Sequence, residues 1–370
     1  MSRPVSIRDI ARQANVSHTT VSRALHDNPL ISKSVRERIQ QMAREVGYVP
    51  NAVAQSLKQS QTQTIGLVVT SIADPFVSRV VRGIDEVARA AHLGVILSVS
   101  NNEPEQEIAV IETFNRRRVD GIIIAASRLE AAELQHAAGQ DVPLVLINPQ
   151  NEACPTTLPS VAIDDWDGAT QAVRHLLDLG HCRIGYLGAG NRPRSNRLRL
   201  EAYRAALKEA GIRARDEWVQ IASPERRYYA DDVSDGEALL PALLESGISA
   251  VFCFNDSLAL GALHACRLLG TAVPGRLSIV GFDDIDMARY LNPALTTVHQ
   301  PKLRLGQAAM QLLLGLRAGE TDWMFETLPV ARSAGTDRIF EAKLASGSTG
   351  TDWIFETTLV PRESSAPPQG

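Results

Sequence analysis

Cysteine is sparse in this 370-residue chain, and no apolar stretch approaches the ~20 residues needed to span a bilayer. Cys154, Cys182, Cys253 and Cys266 lie far apart, form no C-x-x-C pair and have no histidine pattern beside them. That spacing excludes a disulfide scaffold and a zinc site and leaves buried apolar thiols. The N-terminus, Met1-Ser-Arg-Pro-Val5, lacks the apolar run of a secretory leader, so a cytoplasmic protein is expected. There is no phosphate-binding P-loop, no G-x-S-x-G elbow and no clustered metal-ligating set. Gly188 and Gly190 supply two glycines of a dinucleotide fingerprint after an apolar run, but Pro193 occupies the third place. Neither an enzyme nor a cofactor or metal site is therefore expected. No leucine heptad appears near the C-terminus, so no coiled-coil tail is expected.

What is present is ordinary globular composition, 44% hydrophobic and 22% charged, enough for two or three domains. The charge is uneven. Residues 1–62 hold nine Lys or Arg against Asp9, Asp27, Glu37 and Glu45, a net +5, which leaves −9 for the rest of a chain whose total is −4. A small basic domain on a larger acidic one suits a polyanionic partner for the first only.

Residues 6–47 read as three short helices. Ser6-Ile-Arg-Asp9 has capping-box form, Ile7, Ile10, Ala11 and Ala14 share a face, and Asn15 stops the helix. Ser17 caps a second helix with Val21, Ala24 and Leu25 inward. A third follows Ser32 or Ser34 and carries Val35, Ile39, Met42 and Val46. This is the pattern of a helix-turn-helix domain. Residues 51–57 suit one further helix too short to fold alone, ahead of a polar linker.

From Ile65 the period changes. Apolar runs at 65–69, 95–99, 121–125, 144–147, 184–187, 250–254 and 277–282 alternate with helical stretches at 76–91, 105–117, 168–179, 199–210, 236–245 and 257–269. Such βα repetition predicts an α/β fold of two doubly wound parallel-sheet lobes with a ligand cleft between them. Near the end, Thr321-Asp-Trp-Met-Phe-Glu326 recurs as Thr336-Asp-Arg-Ile-Phe-Glu341 and Thr351-Asp-Trp-Ile-Phe-Glu356, a period of 15 residues. Two periods are too few for a solenoid, so one copy is expected in the final-strand position and the other ~30 residues as a surface insert. The expected partition is a helix-turn-helix domain at 1–49, a hinge helix and linker at 50–64, a two-lobed domain at 65–340, and the repeated segment, final strand and tail at 341–370.

Ser6-Ile-Arg-Asp-Ile-Ala-Arg-Gln-Ala-Asn-Val-Ser-His-Thr-Thr-Val-Ser-Arg-Ala-Leu25 resembles the headpiece of the lactose-repressor (LacI/GalR) family of transcriptional regulators. Further matches follow in the family's order: Val46-Gly-Tyr-Val-Pro-Asn51, Ala54-Gln-Ser-Leu57, Asp74-Pro-Phe76, His181-Cys-Arg-Ile-Gly185, Phe254-Asn-Asp256, Gly281-Phe-Asp-Asp284 and Leu295-Thr-Thr297. The resemblance covers residue 5 to about 320 and roughly the last ten residues. It implies lobes of periplasmic-binding-protein type and a homodimer reading pseudo-palindromic operator DNA. By the same resemblance His18, Thr19 and Arg23 read bases, while Ser17, Thr20 and Ser22 cap the helix or touch phosphates. Leu57 wedges into the minor groove.

In the effector domain, polar residues at the ends of apolar strands are the ligand candidates. These are Asn255 and Asp283, with Arg199 aligned to the family's ligand-binding arginine, Phe76 as a stacking wall, and Ser195 and Gln300. Tyr228 and Tyr229 stay open as a far-side aromatic contact. The expected function is a repressor whose operator affinity a small sugar-like effector changes. The alternatives are a purine-type co-repressor arrangement and, in another class, a sugar-binding protein without gene regulation, which the basic headpiece disfavours.

Overall fold

The computed structural model describes residues 5–48, 61–139, 141–151, 158–224, 230–319, 342–344 and 352–369. It divides into two compact units, Met1–Thr62 and Gln63–Gly370. Among the described residues no helix is long and apolar enough to cross a membrane.

The first unit holds helices Ile7–Ala14, His18–Leu25 and Lys33–Glu45. The Asp9 carboxylate accepts the Ser6 backbone N–H at 2.9 Å and its hydroxyl at 2.6 Å, which starts the first helix. Asn15, at φ 54°, ends it in the left-handed region that asparagine tolerates. Ser32 is the N-cap of the third helix, which places Ser34 inside it. Ile10, Ala11, Ala14, Val21, Ala24, Ile39 and Ala43 form the core, with Val35, Met42 and Val46 against it. The third helix also satisfies orphan carbonyls of the other two: Arg38 donates to the Ala14 carbonyl at 3.2 Å and Gln40 to that of Ala24 at 3.1 Å.

The second unit contains two larger sheets. β1 (Thr64–Val69), β2 (Gly94–Val99), β3 (Ile122–Ala125), β4 (Leu144–Ile147) and β5 (Ser160–Ile163) belong to the first. β6 (Ile184–Gly188), β7 (Val219–Ile221), β8 (Ala250–Cys253) and β9 (Ser278–Val280) form the second, parallel throughout in the order β7-β6-β8-β9. β10 (Thr297–His299), β11 (Ala342–Leu344), β12 (Asp352–Phe355) and β13 (Thr358–Val360) complete the set. The first sheet runs β11-β12-β5-β4-β3-β1-β2, with only β11 antiparallel to its neighbour. β10 and β13 pair antiparallel as a separate ribbon.

Runs such as Ile-Ile-Ile-Ala in β3 and Leu-Val-Leu-Ile in β4 are buried along their whole length, as strands covered on both faces must be. Helices Pro75–Ala90 and Lys302–Ala318 pack at van der Waals contact of their backbones. A Cβ on Gly83 would strike the Leu303 carbonyl, and one on Gly306 the Val80 carbonyl. Only glycine allows that approach.

Several boundaries differ from the sequence reading. Helices begin at Asp165, Pro193 and Ala230 rather than at 168, 199 and 236. The Asp164 side chain caps the first of these and Pro193 opens the second, both start signals that lie upstream of the apolar period. Arg199 therefore sits within a helix rather than ahead of it. Strands β5 and β7 and helices Ala131–Ala138 and Lys302–Ala318 are additional elements.

The third copy of the repeated segment occupies the sheet, as β12, where Phe355 pairs with Ile163 and Trp353 with Val161. Residues 342–344, just after the second copy, are not insert but edge strand β11, an open sheet edge being a ready template for such pairing. The rest of the first two copies lies outside the described residues. Because the period is 15, deleting residues 321–350 joins Glu320 to the third copy in register. The shortened chain loses the three-residue edge strand β11, is expected to keep β12 and β13, and should change in stability by only about 1 kcal/mol, since loop length weighs only logarithmically. Chemical denaturation checks this, and loss of a cooperative transition would show that the first two copies carry native contacts.

Away from the cleft, Glu107 is buried and accepts a hydrogen bond from the Ser127 hydroxyl. Burial pushes its carboxyl up to about 7 from an ordinary 4.5, with the Ser127 bond and Arg128 opposing. The unfolded chain thus loses this proton before the folded one, and stability falls as pH rises from about 4.5 to about 7 and is level above. Glu107→Gln is expected to stabilise the protein at pH 8 by up to about 3 kcal/mol and to leave pH 4 unchanged. Urea midpoints at the two pH values test it.

Candidate functional site

Two places carry chemistry, one in each unit. On the second headpiece helix, the Ser17 hydroxyl accepts the Thr20 N–H at 3.1 Å and lies 2.9 Å from the Thr20 hydroxyl, so these two side chains serve the local cap. Ser22 is half-buried. His18, Thr19 and Arg23 are exposed, and Thr19 and Arg23, four residues apart, share a face. Val21 and Ala24, on the opposite side, are buried in the three-helix core. The helix thus offers one polar and cationic face that its own packing does not use. Leu57, Tyr228 and Tyr229 lie outside the described residues.

The second place is a cleft in the Gln63–Gly370 unit that encloses about 550 Å³ of space, part of it open to solvent. Its walls come from the carboxyl ends of parallel strands, where both sheets open. Thr70 follows β1, Ala126 follows β3 and Asn148 follows β4. Opposite them stand Arg192 after β6, Asn255 after β8, Asp283 after β9 and Gln300 after β10. All six residues singled out from sequence, Phe76, Ser195, Arg199, Asn255, Asp283 and Gln300, line this one cleft.

Their hydrogen bonds show what each can still offer. Arg199 donates from Nε to Asp165 Oδ1 at 2.7 Å and from Nη1 to the Phe254 carbonyl. Its guanidinium lies 4.3 Å from the Phe254 ring centroid and 3.6 Å from that of Phe282. The Ser195 hydroxyl donates to the other Asp165 oxygen at 2.9 Å and accepts from Gln150 Nε2 at 2.9 Å. Asp165 is thus the buried anchor that orients Ser195 and Arg199. Asn255 caps helix Asp256–Leu268 by accepting the Leu258 N–H at 2.8 Å, and its amide donates to Asp232 at 2.6 Å.

Asp283 has φ 118° and Asp284 has φ 52°, two successive left-handed residues whose strain is held from outside. The buried Lys302 ammonium does the holding, donating to the carbonyls of Asp283, Asp284 (3.1 Å) and Gln300 (3.4 Å). Gln300 Nε2 donates to the Asp283 carboxyl group, while Gln300 Oε1 is buried without a hydrogen-bond partner among the described residues. Burial raises the Asp283 carboxyl well above its ordinary range, against the pull of Arg199 and Lys302. Asp284 goes the other way. Despite burial, hydrogen bonds from His299 and Arg362 bring it down to about 2.

Sequence reasoning missed Asp74, Asn148, Gln150, Arg192 and the supporting Asp165. Asp74 precedes proline at a helix start and accepts the Phe76 N–H at 2.9 Å, a cap signature that draws attention away from its second bond. That bond is from Arg192 Nη2 at 3.1 Å, between side chains 6% and 15% exposed, and it links the two lobes. The rule of strand carboxyl ends, applied to β4 and β6 as well as to β8 and β9, would have found Asn148 and Arg192.

The chain resembles known proteins over both units. Residues 6–51 match the family model described as bacterial regulatory proteins, lacI family, and residues 173–328 the periplasmic binding protein-like domain. The chain is 38% identical over 325 residues to the HTH-type transcriptional regulator GalS of Salmonella typhimurium, covering 86% of this chain and 92% of that protein. It is 37% identical over 320 residues to the HTH-type transcriptional regulator GalR of Escherichia coli K12, covering 84% and 89%. The solved structure of the lac repressor dimer bound to operator and the anti-inducer ONPF superposes with a TM-score of 0.81 at 26% identity, over 98% of this chain and 100% of that one.

Proposed function

The chain belongs to the lacI family of bacterial regulatory proteins, which are DNA-binding transcription regulators and not enzymes, and from that premise we propose that it is a repressor released from its operator by a sugar or sugar derivative. In this reading residues 1–49 bind operator DNA, 50–64 form the hinge, and 65–340 bind the effector and dimerise, with the final strand and tail after them. His18, Thr19 and Arg23 read base edges in the major groove, Ser17, Thr20 and Ser22 position the helix, and Leu57 wedges into the minor groove. The net +5 of residues 1–62 supports the DNA-binding role. Two headpieces reading two half-sites make the working form a homodimer acting in the cytoplasm.

One observation carries the effector reading. Asp283, Gln300, Asn255 and Arg199 converge on one cleft at the strand ends, and the buried Gln300 Oε1, which has no partner among the described residues, suits a ligand hydroxyl. Sugar binding and DNA binding then alter each other's affinity by the same factor. Fluorescence anisotropy on the chain's own upstream DNA, titrated with salt and with a panel of sugars and purines, tests this. Specific binding at dimer stoichiometry that a sugar weakens supports the proposal. Tightening by a purine replaces it with a co-repressor mechanism, and no specific DNA binding under any condition rejects it.

A further inference from the structure

The charged side chains around the cleft are arranged in a way the repressor reading does not require. Arg192 reaches across from the second lobe to Asp74 of the first, and Asp232 is close enough to feel the same guanidinium. Arg199 is held by Asp165, with Asp283 beside it. Lys302 donates to backbone carbonyls behind the cleft wall. Among the described residues, then, the two guanidiniums lining the cleft face two lining carboxyl groups, Asp74 and Asp283, with Asp165 and Asp232 behind them, and each guanidinium is already engaged.

The other common device for holding an anion, the N–H groups at a helix N-terminus, is in part taken up as well. Among the described residues four helices start beside the cleft, after Asp74, Asn255, Arg192 and Pro301, and the first three spend first-turn N–H groups on the protein's own acceptors. Asp74 accepts the Phe76 N–H at the first, and Asn255 accepts the Leu258 N–H at the second. At the third, Pro193 has no N–H and the Ser195 N–H donates to Gln150 Oε1 at 3.2 Å. An incoming phosphate would find several of its usual donors committed to the protein's own acceptors, with the carboxyl groups of Asp74 and Asp283 beside them. An uncharged hydroxyl, which can both donate and accept, meets no such conflict.

We propose that the Asp74–Arg192 pair sets the charge of the effector, so that the cleft admits neutral polyhydroxy compounds and rejects their phosphate esters. The inference rests on the carbohydrate reading above and adds that Asp74 is a specificity-determining residue. It neutralises the one guanidinium that would otherwise suit a phosphate, and it closes the helix N-terminus next to it.

The test is isothermal titration of the full chain with D-glucose, D-galactose, D-ribose and D-fructose, each against its phosphate monoester. Any sugar that binds is expected to do so at least about tenfold more tightly than its ester. Asp74→Asn retains an N-cap side chain while removing the charge, and is expected to narrow that ratio at least about tenfold by tightening the ester. An ester binding the unaltered protein as tightly as its parent overturns the inference and leaves the carbohydrate reading standing; so does an Asp74→Asn protein, folded by circular dichroism, whose ratio is unchanged. Failure of every sugar and every ester to bind overturns the carbohydrate reading itself and this inference with it.

Discussion

Replacing Arg23 with alanine is expected to bring operator affinity down to the protein's affinity for arbitrary DNA while the headpiece stays folded. Arg23 is exposed on the last turn of helix His18–Leu25, and the core is built from the other side, by Val21 and Ala24 against Ile10 and Ile39. Its removal costs the helix little beyond a favourable charge at its C-terminal end, so stability should move by less than about 1 kcal/mol. Binding is different. A bidentate contact to guanine is worth roughly 1–3 kcal/mol, and a dimer makes it twice, so the expected loss is roughly 30-fold to 10⁴-fold. Anisotropy on operator and scrambled duplexes in parallel gives the ratio directly. Equal loss on both duplexes would make Arg23 a phosphate contact, and unchanged affinity for both would remove it from the interface.

How far the sequence could be read followed how local the determinants are. The headpiece was legible nearly to the residue because Ser6, Asp9, Asn15 and Ser17 act within one turn of where they stand. Ser32 and Ser34 could not be separated, since either can cap and only the packing of Ile39 fixes the register. Parallel strands covered on both faces, such as Ile122–Ala125, are conspicuous as apolar runs. β7, β10 and β13 are three residues each and only partly buried or partly polar, too short to set a period.

In the cleft, the residues at strand ends were visible, but their supports were not. Asp165 looks like one more acid at the start of a helix. Its importance comes from Ser195 and Arg199, thirty or more positions further along the chain. The repeated hexapeptide shows the limit most plainly. Its three copies are nearly identical in sequence, and the one that forms a sheet strand among the described residues is the third, whose following residues pair with β10.

That hidden support separates two substitutions that the sequence alone treats alike. Asp283→Ala removes a carboxylate whose backbone is already held by Lys302, so the protein should fold, bind operator normally and respond poorly to sugar. A lost hydrogen bond that leaves a ligand hydroxyl unpaired, about 1–3 kcal/mol, corresponds to roughly 5- to 150-fold weaker effector binding. Arg199→Ala should abolish the response too, but at a structural cost. It leaves Asp165, whose side chain is 3% exposed, without its counter-charge, strips the Phe254 carbonyl of a donor, and opens the space between Phe254 and Phe282. Breaking one side of a buried ion pair typically costs about 3–5 kcal/mol, so this variant should melt well below the first. Thermal denaturation beside sugar titration of the operator complex tells them apart. Normal induction in both variants would move the effector site elsewhere, while an Arg199→Ala protein as stable as the parent would show that Asp165 takes up a proton or another partner instead.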